Sequence, residues 1–366
     1  MNELSRSSNP CVAPDIVVVG AGLIGLAIAL ELHGRGAAVT VIERGYSLGG
    51  ASAAAAGMLA VEDPNNSPEL RALSRMSAEL YPTFLNRIEE LSGVAVPFQT
   101  EMTVQYLADG TAMRLAERSL DPRQLAAALL RAVEATSIRV LEQTRIAAMQ
   151  EAGGGITVRT TNGAEVAAGA IVYAAGAWMG EVMTELHGDA IPMAPCKGQM
   201  LRVWLPAALE LTEVHRSERI YIVPRTRGPQ AGTALIGATV EDAGFDMTVR
   251  AEDLGRLRGL AAELLPELGT ESEAPMVEAW AGLRPVTPDA LPCIGAWRGS
   301  RQFVVGGHYR NGILQAPGTA VVIADLIEGK ESPIDISGLS PDRFFAAARV
   351  TGKSSAQSDR YSPSSK

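Results

Sequence analysis

Apolar and polar positions divide the chain into two textures. Near the start, the β-branched run Asp15 to Val19 reads as a buried strand. A helix follows whose apolar positions include Leu23, Leu26, Ile28, Leu30 and Leu32, and a second strand, Ala38 to Ile42, ends at Glu43. Leu70 to Leu91 has the period of an amphipathic helix, with an interruption expected at Pro82. A further helix begins after Asp121 as N-cap, with Pro122 at the first helical position. Between Ile138 and Trp178 the pattern is strand-rich. It contains a hairpin turn at Thr161-Asn162-Gly163 and a buried strand, Ile171 to Ala174, that runs into Gly176. From Ile191 to about Glu278 short strands alternate with a helical stretch, as expected of a separate antiparallel domain. The pattern then reverts: "QFVVGGHYRNGI" is a strand entering a glycine turn, and "GTAVVIADLIEG" reads as a helix. The N- and C-terminal thirds are thus expected to form one α/β domain, with the other domain inserted between them.

Glycine spacing adds chemistry to this frame. Gly20, Gly22 and Gly25 form G-x-G-x-x-G between a strand and a helix. In that setting the first glycine makes the tight turn, the second admits a pyrophosphate to the backbone, and the third lets helix pack on strand. The helix N-terminus offers free N–H groups to phosphate, and Glu43 is placed to accept from a ribose diol. The motif predicts a dinucleotide and leaves NAD and FAD open. "SLGGASAAAAGMLA", Ser47 to Ala60, suits either a buried helix or close approach to a flat ligand, and its glycines favour the second. In "GGHYRNGILQAP", Gly306 to Pro317, Arg310 offers a fork of donors to an anion beside a close-approach turn; a solvated surface arginine is the alternative.

Composition narrows the class. The chain has 366 residues, 47% hydrophobic and 20% charged, enough for two folded domains or one large α/β domain. A net charge of −9 argues against nucleic acid. Three scattered cysteines and four dispersed histidines build neither a disulfide framework nor a metal site. The run Ile16 to Leu30 is too short and too glycine-punctuated for a membrane span, and no secretory signal is evident, so a cytoplasmic enzyme is expected.

Taken together and in order, "GAGLIG", "AAAAGML", "YAAGAW", "KGQM", "YIVPR…GAT", "WAGLRPVTPDALPCIG" and "GHYRNGILQAP" resemble the FAD-dependent D-amino-acid oxidase superfamily, in its glycine oxidase branch, which serves thiamine biosynthesis. The resemblance spans roughly Asp15 to Glu328 and implies a Rossmann-like FAD-binding domain with an inserted antiparallel-sheet substrate domain. The implied boundaries are 15–75, 121–190 and 279–350 for the discontinuous FAD domain and 76–120 with 191–278 for the substrate domain. Residues 1–14 would be a flexible tail and 351–366 a disordered one. By motif matching, Gly20, Gly22, Leu23, Ile24 and Gly25 lie at the pyrophosphate turn, Glu43 and Arg44 at the adenosine ribose, and Ile146 at the adenine. Ala51, Ser52, Ala56, Gly57 and Met58 line the flavin, Gly176 closes the return turn, and His308, Tyr309, Arg310, Asn311, Gly312, Ile313 and Leu314 wrap the isoalloxazine edge. Arg284, Arg310 and Tyr221 take the substrate, with a structural ion pair as the other reading of each arginine.

The implied chemistry is oxidation of glycine and small secondary or D-amines by non-covalent FAD with oxygen, giving an imine or glyoxylate, ammonia and hydrogen peroxide. No side chain is required as a base if the amine binds neutral, and His308 is expected to position backbone. A dehydrogenase passing electrons to a quinone or carrier, a sarcosine or D-amino-acid oxidase, and a flavin binder without turnover or a tRNA-modifying flavoprotein remain alternatives. The chain could assemble as a homo-oligomer. Between Pro97 and Asp121 it is shorter than the family pattern, so substrate-domain elements are expected to be missing there.

Overall fold

The computed structural model describes residues 15–189 and 191–345; the tails expected at 1–14 and 351–366 lie outside the described residues. At the centre is a six-stranded sheet. Its strands run, in spatial order, Cys293–Ala296, Gln302–Gly306, Ala170–Tyr173, Ile16–Val19, Val39–Ile42 and Arg139–Leu141. All neighbours pair in parallel except the first two. The central strand Ile16–Val19 is buried on both faces, which is why it reads as an unbroken β-branched run rather than an alternation.

Helices cover one face. Leu23–Gly34 is buried almost all round, so its sequence shows little amphipathic period. It packs with Arg71–Ser92 and Gly312–Ile327 into one apolar core. The other face is covered by the meander Ile146–Ala152, Gly155–Thr160 and Glu165–Ala168, and by methionines 179, 183 and 193.

Two expectations are corrected here. The helix Arg71–Ser92 runs through Pro82 without a break, because its buried stripe of Leu73, Ser77, Tyr81, Leu85 and Ile88 holds both halves against the neighbouring helices. The C-terminal helix starts at Gly312, six residues before the stretch read as helical, and contains Pro317. Proline cannot donate to the carbonyl four residues earlier. That carbonyl, Ile313 O, accepts instead from the buried Tyr81 hydroxyl at 2.5 Å, and Ser77 Oγ accepts from Gly318 N at 2.9 Å. These bonds tie Arg71–Ser92 into the core of the parallel sheet, although a boundary at residue 76 would assign most of it to the other domain.

The second domain is a seven-stranded sheet, Met276–Val286, Ala194–Trp204, Thr233–Gly237, Tyr221–Arg225, Val214–Arg216, Thr103–Tyr106 and Ala112–Leu115. It is antiparallel except where Val214–Arg216 meets Thr103–Tyr106. Met276–Val286 belongs to this sheet, so residues 279–286 lie outside the parallel-sheet domain to which the implied boundary assigned them. The helix Ala251–Leu264 covers one face through Leu257 and Ala261 against Leu201, Val203, Ile222 and Ile236. Strand alternation sends Met200 and Val223 to the opposite face, toward Ala56. Segment 97–121, expected to lack elements, forms four short strands, two of which complete the edge of this sheet around a tight turn at Leu107–Gly110.

Replacing Tyr81 with Phe should leave Ile313 O buried and unpaired. The expected loss is roughly 1–3 kcal/mol, measured by urea unfolding; an unchanged midpoint would show that the carbonyl finds another donor.

Candidate active site

A single cavity of about 480 Å³ runs between the two sheets. One end is the turn after Ile16–Val19. A Cβ on Gly25 would run into the carbonyl of Gly20, so helix and strand meet backbone to backbone. A Cβ on Gly22 would meet only Ser52 Oγ, at 3.6 Å, so that side of the turn is open to a ligand. Leu23 N donates to Ser52 Oγ at 2.9 Å, fixing the segment after Gly50 against the helix N-terminus. Glu43 closes this end. Its two oxygens accept from Ala21 N at 2.9 Å and Gly45 N at 2.7 Å, and a carboxylate has further lone pairs for a diol.

The middle of the cavity is lined by the small-residue segment, which forms a short helix, Ala51–Ala54, and then an extended strip. The antiparallel-sheet domain grips that strip. Arg225 Nη2 donates to Ala56 O at 2.9 Å and Trp280 Nε1 to Ala54 O at 3.2 Å. Gly57 has φ +88°, and a Cβ there would collide with Leu120 O.

Tyr221, Arg284, Tyr309 and Arg310 line the far end. Tyr221 and Arg225 lie on the same face of one strand by its period of two. Burial pushes the Tyr221 hydroxyl up, against the opposing pull of Arg284, Arg310 and Arg225, so it stays protonated at neutral pH. Arg284 Nη1 donates to Thr239 O at 3.1 Å. Arg310 sits with φ +48° at the preceding Tyr309, beyond the buried turn 306–308. His308 is buried, with Nε2 3.0 Å from Thr319 Oγ1, and burial pushes its imidazole down to about 4. It is therefore neutral at pH 7 and bonded to the C-terminal helix.

Of the residues selected from the sequence, Gly25 and Leu314 do not line the cavity; Gly25 packs the turn and Leu314 is in the apolar core. All the others line it. Several lining residues were not foreseen. The Arg44 guanidinium lies 3.8 Å from the Trp178 ring centroid, and Trp178 joins Arg145 and Glu181 in the cavity lining. Trp178 stands in the quoted "YAAGAW", and its position after a strand-to-glycine turn was the available signal. Asp63, in the connection 61–67, also lines the cavity, beside Arg310. Neither periodicity nor a motif marks it.

The cavity fits FAD on the structure's own terms: an open glycine turn at a helix N-terminus, an acid at the end of the second strand, a flat strip of small residues, and cationic donors beyond it. A family model described as FAD dependent oxidoreductase (DAO) matches residues 15–120 and 109–326, the two matches overlapping in the segment that reads as short. Glycine oxidase of Geobacillus kaustophilus is 33% identical over 380 aligned positions, covering 92% of this chain and 98% of that protein. A bifunctional protein ThiO/ThiG of Trichormus variabilis is 32% identical over 92% of this chain, which spans 56% of its length. The crystal structure of the Geobacillus kaustophilus glycine oxidase superimposes with a TM-score of 0.83 at 30% identity, over 90% of this chain and 98% of that one. No helix among the described residues is long and apolar enough to cross a membrane.

The depressed His308 makes stability depend on pH. Between 6.5 and about 4 the unfolded chain binds a proton that the folded chain does not, so stability falls as pH falls through that window, by an amount on the order of 3 kcal/mol. Unfolding free energies across the range should show this slope in the wild type and lose it in His308→Gln; an equal slope in both would place the acid sensitivity elsewhere.

Proposed function

The chain belongs to the FAD-dependent oxidoreductase family, and from that premise we propose that it is a glycine oxidase: it oxidises glycine and small secondary or D-amines, and its product feeds thiazole formation in thiamine biosynthesis. The observation that carries this reading is the convergence of Tyr221, Arg284 and Arg310 at the end of the cavity opposite the dinucleotide turn. FAD held there would supply two-electron oxidation of the substrate amine with oxygen as the final acceptor, so that glycine, water and oxygen would yield glyoxylate, ammonia and hydrogen peroxide.

This chain's residues bind and orient. Gly22 and the N-terminus of Leu23–Gly34 receive the pyrophosphate, Glu43 the ribose, and the strip 51–58 one face of the ring system. At the far end Arg310 and Arg284 take the substrate carboxylate, and the protonated Tyr221 adds a neutral donor. Holding the carboxylate at fixed points limits which face of Cα meets the oxidant, which favours glycine, sarcosine and D-amines over L-enantiomers. His308, neutral and bonded to Thr319, keeps the turn 306–310 seated on the C-terminal helix and takes no proton at neutral pH. The fold and the lack of a membrane-spanning helix among the described residues are compatible with a cytoplasmic enzyme.

Adding glycine anaerobically to the purified yellow protein should bleach the flavin, and admitting oxygen should restore the colour with formation of peroxide. No bleaching with glycine, sarcosine or D-alanine would sink the reading; bleaching without reoxidation by oxygen would make the protein a dehydrogenase. Arg310→Met should lower kcat/KM for glycine by roughly 10- to 1,000-fold, impair an uncharged amine far less and keep its FAD. Near-normal glycine kinetics in that variant would make Arg310 structural.

A further inference from the structure

Arg310 is not alone at the substrate end. Asp63 lines the same cavity, with a side chain only 7% exposed. Its Oδ2 lies 3.9 Å from Arg310 Nη2 and 3.7 Å from Arg216 Nη1. Both distances are those of ion pairs, and neither is short enough for a hydrogen bond. Asp63 therefore neutralises charge without consuming the donors of the Arg310 fork, which stays 36% exposed toward the cavity. Its other oxygen, Oδ1, is spent locally on Asn65 N at 2.9 Å and Asn65 Nδ2 at 3.1 Å.

The carboxylate is held rigidly. Asn66 Oδ1 accepts from Asn311 Nδ2 at 2.8 Å, and Glu62 N donates to Glu117 Oε1 at 2.8 Å. Behind it, the fully buried Arg216 already has an acidic partner in Glu117, at 3.1 Å, and donates to Gln105 Oε1 at 2.6 Å. With Arg216 matched by Glu117, the charge of Asp63 is left facing Arg310. Among the described residues Arg284 has no acidic partner, only the Thr239 carbonyl, so it remains as an unmatched cation at this end of the cavity, which suits one negative charge on a ligand.

We propose that Asp63 is a specificity-determining residue: its buried carboxylate beside Arg310 sets the charge of the pocket so that small monocarboxylates are accepted and dicarboxylates rejected. The first carboxylate of a ligand takes the unspent donors of Arg310 together with Arg284, which uses up the net positive charge of this end. A second would have to lie near the Asp63 carboxylate with no cation left to offset it, and like charges at such distances in a partly dry site disfavour binding strongly. This rests on the reading of Arg310 as a carboxylate binder.

The test is equilibrium binding of acetate and of malonate to the FAD-loaded protein at mildly alkaline pH, by calorimetry, so that turnover is not the readout. The wild type should bind acetate and discriminate against malonate. Asp63→Asn should improve malonate relative to acetate by roughly tenfold or more, the effect of removing one charge–charge contact, while Asp63→Glu keeps the wild-type ratio. A loss of packing alone would move both acids together and would not be rescued by Glu. Malonate binding as tightly as acetate in the wild type, or an unchanged ratio in Asp63→Asn, overturns the inference alone. No acetate binding to the wild type overturns the carboxylate reading of Arg310 and the inference with it.

Discussion

The architecture depends on how closely two sheets can approach one strip of backbone. Residues 51–57 run between the parallel sheet and the antiparallel sheet, and a Cβ on Gly282 would collide with that of Ala54. A side chain larger than alanine at position 54 would press on the Gly282 strand. With so little side chain, the strip is held by its carbonyls: Ala54 O by Trp280 and Ala56 O by Arg225. Both donors come from the substrate domain. The floor of the cavity is thus fixed by the antiparallel-sheet domain, which couples the geometry of its two ends.

Arg225 shows how a buried cation can serve this role. Burial pushes its guanidinium down to about 10, against the pull of Asp121, so it remains charged at neutral pH. Asp121 also caps the helix Pro122–Glu134 by accepting from Arg123 N at 2.9 Å. One aspartate therefore starts a helix of the parallel-sheet domain and faces, at 3.9 Å, the arginine that reaches across from the other domain. Breaking such a pair leaves an uncompensated buried charge, which costs several kcal/mol. The domain junction and the helix start are linked through that one carboxylate.

Much of this was legible beforehand, for local reasons. The unbroken β-branched run at Ile16–Val19, the three glycines and the acid at 43 describe a strand–turn–helix–strand unit whose geometry is imposed by neighbours in the chain. The N-cap at Asp121 and the return strand into Gly176 are equally local. The helix boundaries around the two prolines were not legible, because what sustains Pro317 within a helix is a tyrosine hydroxyl from residue 81. Asp63 was missed for the same reason: its partners, Arg216 and Arg310, are distant in sequence and come from separate domains.

By itself, then, the sequence determined the glycine turn, the interruption of one domain by another and most of the residue types that line the cavity, since each follows from periodicity, glycine spacing or motif order. The tertiary structure alone decided which charges meet. Asp63 meets Arg216 and Arg310 and Arg216 meets Glu117, and Arg225 and Trp280 hold the strip 51–57. The physical reason is range: backbone preferences act over a few residues, whereas an ion pair or a buried hydrogen bond needs only proximity in space, and that proximity exists only after the two sheets have closed on residues 51–57.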